Sequence, residues 1–106
     1  MKQYKLSDAG ARGWFVGDFP EAVFQTKDFE VCYQTNPRGH TASHLHNIIT
    51  EITLVTSGKL LTNGRIYTAG DIYIMEPGDI SQTEYLEETS VITIKTPSIP
   101  EDKHYL

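Results

Sequence analysis

Turn-forming residues recur along the whole chain, and no 3.6-residue apolar pattern of helical length lies between them. The clearest turn is Asn63-Gly64, because a type I′ hairpin turn needs positive φ at both central positions. Clusters containing Pro, Gly, Asn and Asp mark the other turns, at 36–39, 57–58, 69–71 and 77–78. Turns at roughly eight- to twelve-residue intervals leave room only for short strands, so the spacing predicts an all-β sandwich or barrel.

Short runs of β-forming residues fill the intervals between these turns. Residues 29–35 alternate as a strand, so Val31 and Tyr33 should share one face. Further strands are predicted at 14–16, 22–25, 52–56, 59–62, 65–67, 72–75, 81–86 and 90–95. We expect residues 1–13 to form an irregular arm and residues 97–106 to run over the surface as a tail.

A length of 106 residues suits one domain, residues 1–106, and a net charge of −5 argues against nucleic acid or an anionic membrane as a partner. The chain has no run of 18 apolar residues and no apolar signal core at its start. Its single cysteine, Cys32, cannot form an internal disulfide and is interpreted as a small core residue. Together these features favour a cytoplasmic protein.

Three potential metal ligands lie within eight positions of the segment GHTASHLHNIITEITLVTSG. In a strand, His44 and His46 point to the same face because side chains alternate with period two. Glu51 follows His46 by five residues and has the wrong parity to share that face along one straight strand. Residues 47–50 must therefore contain a turn or a bulge that returns Glu51 on the next strand.

This segment resembles the first motif of the cupin family, which is a Gly, an HxH pair, a Glu and a closing Gly. The matching residues are Gly39, His44, His46, Glu51 and Gly58. A second cupin-like motif has its Gly-Asp start at 70–71 and its Pro-Gly pair at 77–78, but Ser81 stands where that motif has a His. The resemblance implies a double-stranded β-helix, the cupin or jelly-roll barrel of two antiparallel sheets.

The ligand set implies a divalent metal ion, namely iron, manganese, zinc or nickel, with open positions for water or substrate. Because the His missing at Ser81 is usually a fourth ligand in metal-containing cupins, three ligands remain unless a bulge reorients Gln82 or Glu84. Four further residues are candidates for substrate binding, two from the loop before the ligand strand and two from predicted barrel strands. They are Arg38, His40, Tyr73 and Tyr85.

Three functions are open from the sequence. The first is a metal-dependent isomerase, lyase or dioxygenase acting on a sugar derivative or organic acid. The second is a non-enzymatic module that binds a carbohydrate or another metabolite. The third is a metal-free epimerase in which a His acts as base, Glu51 orients it and Tyr73 or Tyr85 is the acid. The expected partners are a small-molecule ligand and a second copy in a homodimer, with Trp14 and Phe15 as candidate contacts.

Overall fold

The computed structural model describes residues 1–106, and strands and turns make up nearly all of it. Two short 3₁₀ turns, Leu6–Asp8 and Ala11–Gly13, precede the strands. The eleven strands are β1 Trp14–Gly17, β2 Phe24–Gln25, β3 Glu30–Asn36, β4 Thr41–Leu45, β5 Thr50–Ser57, β6 Lys59–Thr62, β7 Arg65–Thr68, β8 Ile72–Met75, β9 Ile80–Tyr85, β10 Thr89–Thr96 and β11 His104–Tyr105. The structure contains no helix of the length and hydropathy needed to cross a membrane.

The strands form two sheets. One has six strands in the order β2-β1-β3-β10-β5-β8, and the other has five in the order β11-β4-β9-β6-β7. All neighbouring strands are antiparallel except the short pair β1 and β2. From β3 onward the chain passes repeatedly from one sheet to the other, with only the β6–β7 hairpin staying in one sheet, so it encloses an interior between them. The predicted all-β barrel of two sheets is confirmed.

The Asn63-Gly64 turn joins β6 to β7, as predicted. Both residues have positive φ, 49° at Asn63 and 82° at Gly64, and Thr62 pairs directly with Arg65 across the turn. This is the conformation that a type I′ hairpin needs. The turn therefore sets the register of the β6–β7 hairpin, which forms one edge of the five-stranded sheet.

The last ten residues differ from the surface tail that the sequence predicts. Residues 104–105 form β11, which pairs with β4 and extends the five-stranded sheet. Asp102 is only 6% exposed, although carboxylates are seldom buried without partners. The reason is local hydrogen bonding that a prediction from composition cannot see, and it is described with the site below.

The six-stranded sheet places polar side chains toward the interior and hydrophobic side chains toward the outside, the reverse of the usual pattern. A small hydrophobic cluster inside the barrel contains Val55 and Val91 from this sheet and Leu60 from β6 of the other sheet. Among all buried residues, however, the polar and charged ones outnumber the hydrophobic ones. The outer surface of β3, β10, β5 and β8 is instead hydrophobic. This apolar outer face consists of Val31, Tyr33, Ile52, Leu54, Ile72, Ile74, Ile92 and Ile94. The barrel therefore encloses a polar pocket rather than a closed hydrophobic core.

Candidate metal and ligand site

The chain makes the turn that the sequence requires between His46 and Glu51. Strand β4, which carries His44, ends at Leu45 in the five-stranded sheet, and β5 begins at Thr50 in the six-stranded sheet. The intervening residues pass from one sheet to the other. His44 and Glu51 therefore approach each other from opposite walls of the barrel. Their side-chain parity along a single strand no longer matters, because they lie on different strands.

The structure brings the three residues of the predicted ligand set together. Glu51 Oε1 lies 3.2 Å from His46 Nε2 and 3.8 Å from His44 Nε2. One candidate ligand atom from each residue can be chosen so that all three lie within 4.8 Å of one another. Their side chains are between 4% and 13% exposed, so bulk water does not separate them. Ligand atoms this close can bind one ion.

The hydrogen bonds of His46 define how its ring is presented. Its Nδ1 donates to the backbone oxygen of Asp102, and this kind of bond fixes the tautomer of metal-binding imidazoles. In the neutral ring, Nε2 then presents a lone pair toward the Glu51 carboxylate at 3.2 Å. Burial opposes ionisation of Glu51, but the nearby imidazoles of His44 and His46 outweigh it and hold the pKa of the carboxyl well below its usual range.

The 3.2 Å contact between His46 Nε2 and Glu51 Oε1 requires a proton or a cation between the two atoms, because both would otherwise present lone pairs. A third polar atom is unsatisfied. The Nδ1 atom of His44 is buried without a hydrogen-bond partner, which is costly for an imidazole in either tautomer. A cation between these donors would replace a repulsive contact with coordination bonds. The residues present therefore fit a divalent metal ion, as the donor set of two imidazoles and one carboxylate predicts.

No fourth protein ligand completes the set. Ser81 lies directly opposite His44 in the β4–β9 ladder, and its hydroxyl is 3.1 Å from the Thr83 hydroxyl. The bulge that would reorient Gln82 or Glu84 toward the site is absent, because β4 and β9 pair in unbroken register from 41 to 45. Gln82 and Glu84 consequently stay exposed. An ion at this site would keep open coordination positions toward the cavity.

Asp102 fastens the turn between β4 and β5, and the sequence analysis did not identify it. Its carboxylate accepts the backbone N–H groups of Asn47, Ile48 and Ile49 at 3.0, 2.9 and 3.0 Å. Burial disfavours the charge, but these three N–H groups outweigh that effect and lower the pKa of Asp102 to about 2. A lone acid in the tail carries no sequence signal for this role.

The ligand set opens into the barrel interior, which belongs to a larger space of about 1270 Å³ that also includes a groove on the outer face of β4 and β9. The buried side chains of Thr53, Ser81 and Thr83 line the interior, so it suits a polar ligand. His40, Tyr73 and Tyr85 line it, whereas Arg38 is exposed and does not. Tyr33 in β3 lies outside the barrel, on the apolar outer face.

The two cavity tyrosines are hydroxyl donors at neutral pH. Burial raises the pKa of Tyr73 well above its usual range and raises the pKa of Tyr85 as well. The ring of Tyr85 lies 5.7 Å from that of His40, centroid to centroid, at the wall where the loop before β4 meets β9. A polar ligand inside the barrel could accept hydrogen bonds from both phenols.

A row of charged side chains crosses the six-stranded sheet and faces the interior. Glu30, Lys95 and Glu51 pair directly across β3, β10 and β5, and they are 3%, 6% and 8% exposed. Burial lowers the pKa of Lys95 and raises that of Glu30. The sequence analysis missed Lys95 and Glu30, because alternation shows which residues share a face but not which face is buried.

Comparison with known proteins identifies the fold. No protein-family model matches the chain, and no curated protein sequence matches it. Three similar solved structures are an uncharacterised Klebsiella pneumoniae protein with a double-stranded β-helix domain (TM-score 0.67, 21% identity, 92% of this chain and 85% of that one), the DMSP lyase DddQ from Ruegeria pomeroyi (0.66, 17%, 93% and 56%), and KdgF from a Halomonas species (0.65, 22%, 72% and 76%).

Other similar structures are described as cupin proteins or as having a cupin-like fold. The chain therefore has the cupin fold, a double-stranded β-helix, as its two sequence motifs predict. At these identities the likeness concerns the fold alone.

Proposed function

We propose that this cupin-fold protein is an enzyme that binds one divalent metal ion through His44, His46 and Glu51 and acts on a small polar molecule in its cavity. The observation that carries the proposal is the buried approach of His46 Nε2 to Glu51 Oε1 at 3.2 Å. The other ring nitrogen of His46, Nδ1, donates a hydrogen bond to the backbone carbonyl of Asp102. Iron, manganese, zinc and nickel all suit this donor set.

When bound, the ion would act as a Lewis acid on a substrate oxygen or lower the pKa of a bound water. The chain itself supplies orientation and proton donors. Asp102 holds the His46 ring through its carbonyl, and the protonated hydroxyls of Tyr73 and Tyr85 lie on the cavity wall. A hydroxyl or carbonyl oxygen of the substrate can accept from these phenols, which could also protonate a leaving or enolate oxygen.

The substrate class in this proposal is a sugar derivative or a small organic acid, and the reaction is an isomerisation, an elimination or an oxygenation. The polar cavity lining supports a polar substrate, and one structurally similar protein is named as a lyase. We place the activity in the cytosol, where the buried Cys32 thiol would remain reduced. Cell fractionation followed by detection of the native chain tests that location.

Metal analysis tests the ligand set. Tag-free protein purified without added metal should contain a stoichiometric transition metal, and the stripped protein should bind Zn²⁺ or Mn²⁺ in calorimetric titration. His44→Ala and Glu51→Ala should each weaken binding at least about tenfold. Glu87→Ala is the matched control for Glu51→Ala, since it removes a carboxylate whose side chain is 57% exposed and which lies outside the cavity. Absence of metal in the native protein, together with no binding on titration, would refute the proposal.

A metal-free site is the second candidate, and the same contact favours it. A doubly protonated His46 would donate to the Asp102 carbonyl and to Glu51 at once, leaving His44 with an unpartnered nitrogen to act as a base in epimerase chemistry. Nitrogen NMR of the chelator-treated protein distinguishes the two, because an imidazolium at His46 that persists when Zn²⁺ is added would support the metal-free site. Its conversion to a metal-bound ring would support the first proposal.

A further inference from the structure

A buried lysine beside the ligand set has no carboxylate within ion-pair distance of its ammonium. The ion pairs within 4.0 Å in this structure are His44–Glu51, His46–Glu51, Lys59–Glu87 and His104–Asp102, and none of them includes Lys95. Its ammonium also has no hydrogen-bond partner in the protein. The Lys95 Nζ lies 4.5 Å from the centroid of the Trp14 ring, a cation–π contact that positions it but accepts no proton.

This arrangement leaves the ammonium free for a ligand. His44 Nδ1, and not Lys95 Nζ, is the fully buried side-chain atom without a partner, so Nζ keeps access to the cavity although burial of the side chain has removed part of its hydration. Lys95 and Trp14 both line the cavity, so Nζ can be reached by a molecule that lies in front of Glu51. Neighbouring Glu30 and Glu51 are its cross-strand partners, yet neither carboxylate comes within 4.0 Å of Nζ.

The charges inside the barrel favour an anion at this point. With a divalent ion bound, the formal charges of the ion, Glu51, Lys95 and Glu30 are +2, −1, +1 and −1, which leaves one net positive charge. One excess positive charge matches a monoanionic carboxylate better than a doubly charged phosphate. The ammonium would contribute charge-assisted hydrogen bonds, while the open positions of the ion receive another oxygen of the same molecule.

We propose that Lys95 forms a carboxylate-binding subsite, so that the substrate is a small organic acid held between Lys95 and the metal position. This inference rests on the proposed function, because it assigns the substrate class of the same cavity. Trp14 forms the wall of the subsite and, as the only tryptophan of the chain, reports on its occupancy. Lys95 is thus assigned a binding role, and it carries no covalent step.

Lactate and its neutral amide, lactamide, provide a matched pair of probes for the test. Zn²⁺-loaded protein is titrated with each probe while Trp14 fluorescence is followed. The wild type should prefer lactate at least about tenfold, the size expected for a hydrogen bond to a charged group. Lys95→Met should abolish this preference, and Lys95→Arg should keep part of it. Lys59→Met, which removes a surface lysine outside the cavity, should leave it unchanged.

Failure of the subsite can be told apart from failure of the metal site. Each variant is first titrated with Zn²⁺, and Lys95→Met should bind it as well as the wild type or better, because a nearby positive charge has been removed. If the wild type binds no Zn²⁺, the proposed function fails, and the lactate preference is then measured in metal-free protein. Equal affinity for lactate and lactamide, or a preference that survives in folded Lys95→Met, would overturn the subsite.

The apolar outer face supports a second, independent inference. It contains two cross-strand rows of four residues each, with no charged side chain in either row. The rows are Val31–Ile94–Ile52–Ile74 and Tyr33–Ile92–Leu54–Ile72. Three of the eight residues, Tyr33, Ile72 and Ile74, are 41%, 60% and 54% exposed. An uncharged face is unusual on a chain in which 22% of residues are charged.

We infer that this face binds a second copy of the chain about a two-fold axis. The eight side chains expose on the order of 500 Å² per copy, so two facing copies would bury about 1,000 Å², the area that a specific interface needs. A two-fold interface places the same patch against itself, and an uncharged face has no like charges to oppose that contact. The cavity opens on the other side of the sheet and would stay accessible.

Analytical ultracentrifugation tests the dimer. The wild type should sediment with twice the 12.0 kDa chain mass at micromolar concentration. Ile74→Glu should sediment as a monomer, because two or more charges would be buried across the axis. Ile66→Glu is the matched control, since Ile66 is 58% exposed but lies in the five-stranded sheet, and it should remain dimeric. A monomeric wild type, or a dimer that survives Ile74→Glu, would overturn this inference.

Discussion

Replacing Asp102 by Asn tests whether the C-terminal segment holds the turn that brings His46 toward Glu51. The native carboxylate accepts three backbone N–H groups from Asn47, Ile48 and Ile49. An asparagine keeps one acceptor oxygen, but it turns an NH₂ group toward N–H donors and removes the charge. The variant should therefore lose the charge-assisted part of this interaction while the main chain stays unchanged.

The pKa of Asp102 sets the size of this loss. Hydrogen bonding lowers it from 3.8 to about 2, and at about 1.4 kcal/mol per pKa unit this corresponds to roughly 2 kcal/mol. Because asparagine keeps one acceptor oxygen for these N–H groups, we expect Asp102→Asn to lower the free energy of unfolding by about 1–2 kcal/mol at pH 7. The folded-state pKa lies below the unfolded one, so this stabilisation is complete above about pH 4 and declines as pH falls toward 2.

The assay is urea unfolding followed by circular dichroism, in the presence of a chelator so that metal binding does not contribute. Asp79→Asn is the control, because Asp79 is exposed and accepts a single backbone N–H, that of Glu76 at 2.9 Å, and it should cost less. The difference between the wild type and Asp102→Asn should shrink between pH 4 and pH 2. Equal stabilities at pH 7, or a difference that grows in acid, would refute the reasoning.

Three further outcomes are expected. Ser81→His should raise Zn²⁺ affinity in calorimetry at least about tenfold, because Ser81 lies opposite His44 and an added imidazole would supply a fourth ligand; unchanged affinity would place the ion elsewhere. Burial raises the pKa of Cys32 to about 11, so iodoacetamide should label it at neutral pH only after unfolding, as measured by mass spectrometry. Gly58→Ala should cost more than about 2 kcal/mol in urea unfolding, because Gly58 has φ +87° and a Cβ would lie 2.3 Å from a backbone oxygen. Gly64→Ala, with a similar φ but open space around it, should cost less.

The features that the sequence determined by itself are those set by neighbouring residues. The Asn63-Gly64 turn, the short strands and an all-β sandwich or barrel follow from local turn chemistry and strand alternation. The resemblance to the cupin motifs implied the barrel of two sheets. The need for a turn between His46 and Glu51 follows in the same way, since side-chain parity along a strand is a property of the backbone alone. The candidate ligand set could therefore be named without knowing how the sheets face each other.

Only the tertiary structure decided which face of each strand is inside. Alternation places Val31 and Tyr33 on one face and Cys32 on the other, yet it does not distinguish an apolar core from a polar pocket. Here the sheets enclose Glu30, Lys95 and Glu51, and the residues of the apolar outer face point away from the interior. The burial of a side chain depends on what packs against it across the barrel, and those partners are distant in sequence.

The role of Asp102 also depends on partners that are distant in sequence, because more than fifty residues separate it from the N–H groups whose hydrogen bonds it accepts. Its carbonyl selects the tautomer of His46, and its carboxylate fastens the turn that follows. The HxH pair and the Glu lie close together in the sequence and can be recognised from it. The orientation of His46 and the charged wall formed by Lys95 arise instead from contacts between distant strands. Hydrogen bonds and burial across such distances exist only once the two sheets have closed on each other.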